Sequence, residues 1–354
     1  MLHRLETTMP ITVPGERSLA GAENAVPAFM FDMLSAWGFR AVTLAFRTGV
    51  LAALADEELT AEQVADRAGL DPRGTAFLLD CLDCLGYVSQ VGDRYAATDT
   101  TNELLPMISM GIPYFEKIVF TDWANLESRL RGDLTLAFEP EQPRTPRWLA
   151  KEWRVFQDGM VALTNMNIDE VLERIPVPDP AGHLLDLGGG YGLYSIAICR
   201  RHPQLRATIF EIPEMQRLAN RAIVENDMAD RIDFRAGDFF TDDLGSTSMA
   251  LLFNVIHSKS HRQNRELVAR TAAALQPGGL LVLLDQFPAP ELGPIGRSFG
   301  AMMALSMFNS VGQQTYPLDE VRDWLTAAGL VDVEFHAVRS APGNGLFLAR
   351  KPAR

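Results

Sequence analysis

His183-Leu184-Leu185-Asp186-Leu187-Gly188-Gly189-Gly190-Tyr191-Gly192 decides how this chain is read. It is a short apolar strand, a glycine-rich turn and the start of a helix expected from about Leu193 to Arg201. A second strand, residues 207–210, ends at the acid Glu211. Glycines let a backbone approach a ligand closely, and a helix N-terminus offers unpaired N–H groups. An acid at the end of the second strand can accept hydrogen bonds from both hydroxyls of a ribose. The stretch therefore points to a nucleoside-bearing ligand.

The turn excludes two common nucleotide motifs. A dinucleotide fingerprint needs G-x-G-x-x-G. Counted from Gly188 its third glycine falls on Leu193, and counted from Gly190 it falls on Ser195. The Lys-Ser/Thr ending of a P-loop is absent as well. A plain tight strand-to-helix turn stands as the alternative, so the rest of the chain must carry the reading.

The length of 354 residues suggests two domains. Hydrophobic residues make up 47%, enough for a sizeable core. A net charge of −13 argues against nucleic acid, because phosphate binding needs a basic face. No apolar run is long enough to span a membrane, and Met1 to Glu16 lack a signal-peptide core. A cytoplasmic protein is expected, with residues 1–27 as a flexible tail. Cys81 and Cys84 have C-x-x-C spacing, but no second pair accompanies them, so they are read with Cys199 as buried, reduced thiols.

Apolar positions recur at helical spacing over residues 28–54. Thr60 followed by Gln63 is a capping-box pattern, and Gly69 suits the helix end. Asp71 and Pro72 open a second helix to about Leu85. Residues 87–90 and 94–98, split by Gly92-Asp93, read as a hairpin. This is a winged-helix pattern. The recognition-helix position holds Arg73 as its only base and carries Asp80 and Asp83, so groove reading is disfavoured and a dimerisation surface over 28–54 is expected. Residues 132–147 read as a loop, and 148–175 as a helix before the stiff Pro176-Val177-Pro178-Asp179-Pro180 linker. The expected organisation is tail 1–27, winged helix 28–100, connecting helices lining a substrate pocket 101–175, and a ligand-binding domain 181–354. In that last domain strands at 184–187, 207–210, 232–236, 249–254, 280–285, 331–338 and 346–350 alternate with helices. The fold class is α/β, a doubly wound, mostly parallel Rossmann-like sheet. Ligands of such sheets sit outside the carboxyl ends of the strands.

The Asp186–Gly192 turn resembles the first motif of class I S-adenosylmethionine-dependent methyltransferases. Ala236-Gly237-Asp238-Phe239-Phe240 after strand three, Leu252-Phe253-Asn254-Val255-Ile256-His257 at the end of strand four, and Pro277-Gly278-Gly279 before a strand closed by Asp285 extend that resemblance. With the winged helix, residues 28–352 resemble the small-molecule O-methyltransferases typified by plant caffeate and bacterial polyketide enzymes. The resemblance implies S-adenosyl-L-methionine as cofactor, S-adenosyl-L-homocysteine as product, a homodimer and a small-molecule acceptor. It implies cofactor contacts from Asp186, Gly188, Gly189, Gly190, Glu211, Ile212, Asp238, Phe239 and Asn254. It adds Phe156 and Met160 on an upstream helix, where plain core packing is the other reading, and Thr164.

The resemblance further implies that His257 is the general base, taking a proton from a hydroxyl as the methyl group transfers. A structural histidine is the alternative. His261, one turn on, would suit a metal pair with it, but no local carboxylate or cysteine completes such a site, so no metal is expected. Met302, Met303, Met307 and Phe308 form an apolar stripe, read either as core or as a pocket for a flat acceptor beside Trp123 and Trp153. The chain departs from the family in Ser258-Lys259-Ser260-His261. It also departs where an orienting acid is usual, since Met302 and Met303 stand there and the next acids are Asp319 and Glu320. His257 is therefore expected to lack a supporting acid. That leaves C-methylation or a non-methylating reaction as the alternative, and a winged-helix regulator as a more distant one.

Overall fold

A computed structural model describes residues 28–132, 146–179, 182–288, 293–341 and 343–353. The expected tail 1–27 and most of the loop 132–147 lie outside the described residues. The chain divides into two compact units, Met1–Thr121 with Asp158–Ala162, and Asp122–Gln157 with Leu163–Arg354.

The first unit opens with α1 (Ala28–Arg47) and α2 (Val50–Ala53). β1 (Leu59–Thr60) leads into α3 (Ala61–Ala68), then α4 (Pro72–Cys84) and the hairpin β2 (Val88–Val91) and β3 (Arg94–Ala97). α5 (Asp99–Ile108) and α6 (Ile112–Lys117) follow. The caps form as their residue types require. Thr60 and Gln63 make both bonds of a capping box, and Asp71 accepts from the Gly74 N–H at 2.7 Å. Val42, Ala45, Val50, Leu51 and Leu54 pack with Val64, Leu79, Leu82 and Tyr95 into this unit's own core. Only the first half of the 28–54 stripe is left uncovered: Met30, Leu34 and Trp37 are exposed.

The cysteine expectation fails for two of three. Cys81 and Cys84 are exposed and only Cys199 is buried. The reason is helical phase, since α4 buries Thr75, Leu79 and Leu82, and the cysteines fall off that face. The acids of α4 brace the hairpin: Asp80 accepts from the Tyr95 hydroxyl at 2.6 Å, and Asp83 from the Gln90 N–H at 3.1 Å.

The second unit holds α7 (Leu126–Leu130), much of α8 (Pro146–Glu173) and a seven-stranded sheet. Its strands are β4 (His183–Leu187), β5 (Arg206–Glu211), β6 (Ile232–Ala236), β7 (Thr247–Phe253), β8 (Leu275–Gln286), β9 (Val331–Ala337) and β10 (Asn344–Arg350). The helices between them are α9 (Leu193–Arg201), α10 (Gln216–Glu225), α11 (His261–Ala274), α12 (Gly293–Val311) and α13 (Leu318–Ala327). The order is β6-β5-β4-β7-β8-β10-β9. The first five are parallel, and β10 runs antiparallel to both neighbours. This is the expected doubly wound sheet. One detail differs: Pro277-Gly278-Gly279 lie inside β8 rather than before it. Backbone bonds between Gly278 and Lys351, and between Lys351 and Gly279, carry the ladder through them.

Strand order reverses between β4 and β7, so their carboxyl ends open a crevice there. Every residue of β7 is buried, as a central parallel strand demands. No helix among the described residues is long and apolar enough to cross a membrane.

Candidate active site

The glycine turn leaves β4 at the reversal point. Gly188 and Gly190 have φ of +74° and +55°, and a Cβ at Gly188 would lie 2.8 Å from Val255 Cγ2. The turn therefore needs both a left-handed backbone and an absent side chain. Asp186 sits beneath the turn, buried, and accepts from the Ser195 hydroxyl at 2.6 Å. Burial pushes its carboxyl up to about 6, with the Ser195 bond opposing. A Cβ at Gly189 would come within 2.5 Å of this carboxylate. Asp186 thus holds the turn from below.

Three side chains of α8 meet the turn or the helix that follows it, and the sequence points to Thr164 alone among them. Gln157 is buried, and its Oε1 would lie 3.0 Å from a Cβ on Gly190. Thr164 is buried, and its hydroxyl bonds the Tyr194 phenol. That phenol also donates to Asn167 Oδ1 at 2.6 Å. The signal was available, because 157, 164 and 167 recur on one helical face. Phe156 is half-buried and meets the Trp153 ring edge-on at 5.8 Å. Met160 belongs to the stretch that groups with the first unit.

Glu211 closes β5 beside the turn, where Gly188 N–H donates to the Phe210 carbonyl at 2.9 Å. One Glu211 oxygen accepts from the Ile212 N–H. Burial pushes this carboxyl up to about 7, with Asp186 and Glu214 adding to the rise while the Ile212 bond and Lys259 oppose it. Such a group gains from further donors. Past β6, the exposed Asp238 accepts from the Phe240 N–H at 2.8 Å. Phe239 packs against Phe240 at 4.9 Å, and Arg270 Nε fixes the Phe239 carbonyl at 2.8 Å. Asn254, just past β7, has φ +56°, a conformation that non-glycine residues keep where the surroundings hold it. Its side-chain oxygen accepts from Gln286 Nε2 at 2.9 Å.

His257 lies on a single 3-10 turn, Ile256–Ser258, directly after β7. The expectation that it lacks a supporting acid is wrong. Its Nδ1 is 2.7 Å from Asp285 Oδ1 at the end of β8. Asp285 is fully buried, and it also accepts from the N–H groups of Ile256 at 3.1 Å and Gln286 at 2.8 Å. A carboxylate loaded with backbone donors acts as an acceptor toward His257. The imidazole then carries its hydrogen on Nδ1 and keeps the Nε2 lone pair. Its side chain is 15% exposed.

His261 does not share this arrangement. It starts α11, where Glu320 binds its Nδ1, and Gln314 Nε2 lies 2.9 Å from its Nε2. The two histidines therefore serve different acids. No cluster of three metal-ligating side chains occurs among the described residues. Asp319, next to Glu320, belongs to the first turn of α13.

α12 packs against the turn that carries His257. Its buried face is polar: Ser306 accepts from Trp123 Nε1 at 3.3 Å, and Asn309 donates to the Asp122 carbonyl at 2.7 Å. Met303, Met307 and Phe308 are half-buried and Met302 is exposed, so the stripe is not core.

Comparison with known proteins agrees with this geometry. An O-methyltransferase domain matches residues 148–330. The 3-hydroxy-5-methyl-1-naphthoate 3-O-methyltransferase of Streptomyces sahachiroi is 27% identical, over 90% of this chain and 94% of its own. The tetracenomycin polyketide synthesis 8-O-methyl transferase TcmO of Streptomyces glaucescens is 28% identical, over 89% of this chain and 94% of its own. The crystal structure of human N-acetylserotonin methyltransferase in complex with SAM superposes with a TM-score of 0.79 at 22% identity, covering 94% of this chain and 99% of that one. The chain belongs to the O-methyltransferase family of S-adenosylmethionine-dependent enzymes.

Proposed function

We propose that this protein methylates a hydroxyl on a flat aromatic or polyketide-like small molecule in secondary metabolism, with His257 as the general base. The observation that carries this reading is the His257–Asp285 pair, which engages Nδ1 and leaves the Nε2 lone pair of a partly exposed imidazole just past β7. The names of the two Streptomyces relatives support a fused-ring acceptor.

The residues at the crevice suit S-adenosylmethionine. Glu211, half-buried and holding the Ile212 N–H, suits a ribose diol, and the Gly188–Gly190 backbone suits close approach of the chain. Asp238, Phe239 and Ile212 suit the base, Asn254 borders the crevice, and Gln157 and Thr164 suit the methionine end. Phe156 precedes Gln157 on α8, and Asp186 acts from beneath the turn. When bound, the cofactor supplies an electrophilic methyl group. Asp285 fixes the imidazole through Nδ1, and His257 Nε2 accepts the acceptor's hydroxyl proton, because an oxyanion is the stronger nucleophile. Met302, Met303, Met307 and Phe308, with Trp123 and Trp153, offer apolar surface for an aromatic ring.

We assign residues 28–100 as a dimerisation module, 101–175 as connecting helices and 181–354 as the cofactor domain. The exposed Met30, Leu34 and Trp37 support a homodimer, and three free cysteines support a reducing, cytoplasmic setting. A labelled-methyl assay on a panel of phenols and hydroxynaphthoates tests the reaction. His257→Ala should lower kcat by about 10²–10⁴-fold. Product methylated on carbon, or full turnover by the variant, would replace this reading.

A further inference from the structure

Lys259 sits among the nucleoside residues just described. It follows the His257 turn in extended conformation, at φ −122° and ψ 152°. Its carbonyl is held from behind by two groups: the Tyr316 hydroxyl donates to it, and so does the buried Asn264 Nδ2, at 3.3 Å. With the backbone pinned, the side chain extends toward Phe239, and Nζ lies 5.7 Å from that ring's centroid. Glu211 and Asp238 both act on the ammonium electrostatically, while burial pushes its pKa down. Among the described residues the ammonium makes no hydrogen bond and no ion pair.

A cation taken partly out of water is usually paired. This one is placed between two carboxylates and over an aromatic face, yet holds neither carboxylate directly. The chemistry of an adenosyl group explains the arrangement. Its hydroxyls and amino group are donors and suit Glu211 and Asp238. Its ring nitrogens and oxygens are acceptors, which carboxylates can only repel. A donor is needed for them, and Lys259 supplies three N–H groups.

We propose that Lys259 is a nucleoside-binding residue whose ammonium donates to an acceptor atom of the adenosyl group lodged between Glu211 and Asp238. This rests on the cofactor site assigned above. A second effect follows from the same placement. The ammonium opposes the burial, Asp186 and Glu214 that push the Glu211 carboxyl up to about 7, so it keeps the diol acceptor ionised nearer neutral pH.

The test is calorimetry of the full chain with S-adenosylhomocysteine and with adenosine, across pH, for wild type, Lys259→Met and Glu211→Gln. Wild-type affinity should rise as pH rises through about 7, where Glu211 ionises. Lys259→Met should weaken both ligands by roughly tenfold or more at every pH, the size of one charge-assisted hydrogen bond, and move the midpoint upward. Lys259→Leu carries the same test if Lys259→Met proves too unstable. Unchanged binding in Glu211→Gln would overturn the cofactor site itself. Weaker binding in Glu211→Gln with wild-type binding in Lys259→Met would overturn only the role of Lys259. So would a shifted midpoint with wild-type affinity at high pH, because Lys259 would then act through the charge of Glu211 alone.

Discussion

Asp285 Oδ1 lies 2.7 Å from His257 Nδ1, bridging the carboxyl ends of the adjacent strands β7 and β8. The same carboxylate also receives backbone N–H groups from Ile256 and Gln286, so it is fixed before it fixes the imidazole. In the proposed reaction Asp285 is a positioning residue: it selects the tautomer that leaves the Nε2 lone pair for the proton.

Asp285→Asn tests that role. An amide cannot serve all these donors. Turned one way its NH2 opposes the Ile256 N–H, and turned the other it faces Nδ1 and forces the hydrogen onto Nε2. kcat should fall by about 10²-fold or more, in the range for a lost general base. Affinity for S-adenosylhomocysteine should hold, because the nucleoside residues are untouched. His261→Ala should change kcat little, since His261 engages Glu320 instead. Equal losses in Asp285→Asn and His261→Ala would refute separate roles.

How much of this was legible in the sequence differs by residue. The glycine turn, Glu211 and the capping residues announce local geometry, and the structure places them as read. Asp285 announces nothing about His257, because their meeting depends on β8 lying beside β7 and on the length of each strand. The family pattern points for that acid to the helix of Met302 and Met303, whereas the sheet supplies it. Cys81 and Cys84 are exposed for a related reason. Apolar periodicity marks a buried face only to within a fraction of a turn, and tertiary packing chose Leu79 and Leu82.

Gly188→Ala should damage both stability and cofactor binding. A left-handed backbone costs an L-residue about 1–2 kcal/mol, and the new Cβ meets Val255 Cγ2 at 2.8 Å. Gly245 is the control: its φ is +73° but nothing lies within 4 Å of an added Cβ. Gly245→Ala should lower Tm only modestly and leave S-adenosylhomocysteine affinity intact. Thermal unfolding with calorimetry on both variants would expose the error if they behaved alike.

Trp37 is 62% exposed and Leu34 48% exposed on one face of α1. Two such side chains on one stripe suit a buried interface between two copies. Light scattering should give a dimer mass for the wild type, and Trp37→Glu should give the monomer at micromolar concentration with the core of the first unit intact. A monomeric wild type, or a Trp37→Glu dimer of unchanged affinity, would reject this face as the interface.

Glu211 gives the pH dependence of the free protein a definite sign. Burial raises its carboxyl from 4.5 to about 7, so between those values the native state binds more protons than the unfolded chain. Stability is then fully present below 4.5, falls as pH rises toward 7, and levels off above. Asp186, raised from 3.8 to about 6 mainly by burial, adds a slope of the same sign over an overlapping window. Glu211→Gln should therefore flatten the fall without abolishing it, and the difference should be largest on the approach to neutral pH. Saturating S-adenosylhomocysteine should oppose the trend, because a diol bound to Glu211 favours the ionised carboxylate and stabilises more as pH rises. Urea midpoints measured from about pH 4 to pH 8, with and without ligand, provide the check. Parallel curves for wild type and Glu211→Gln throughout that range would show that Glu211 titrates alike in the folded and unfolded chain, and would remove the basis for treating it as a carboxylate waiting for donors.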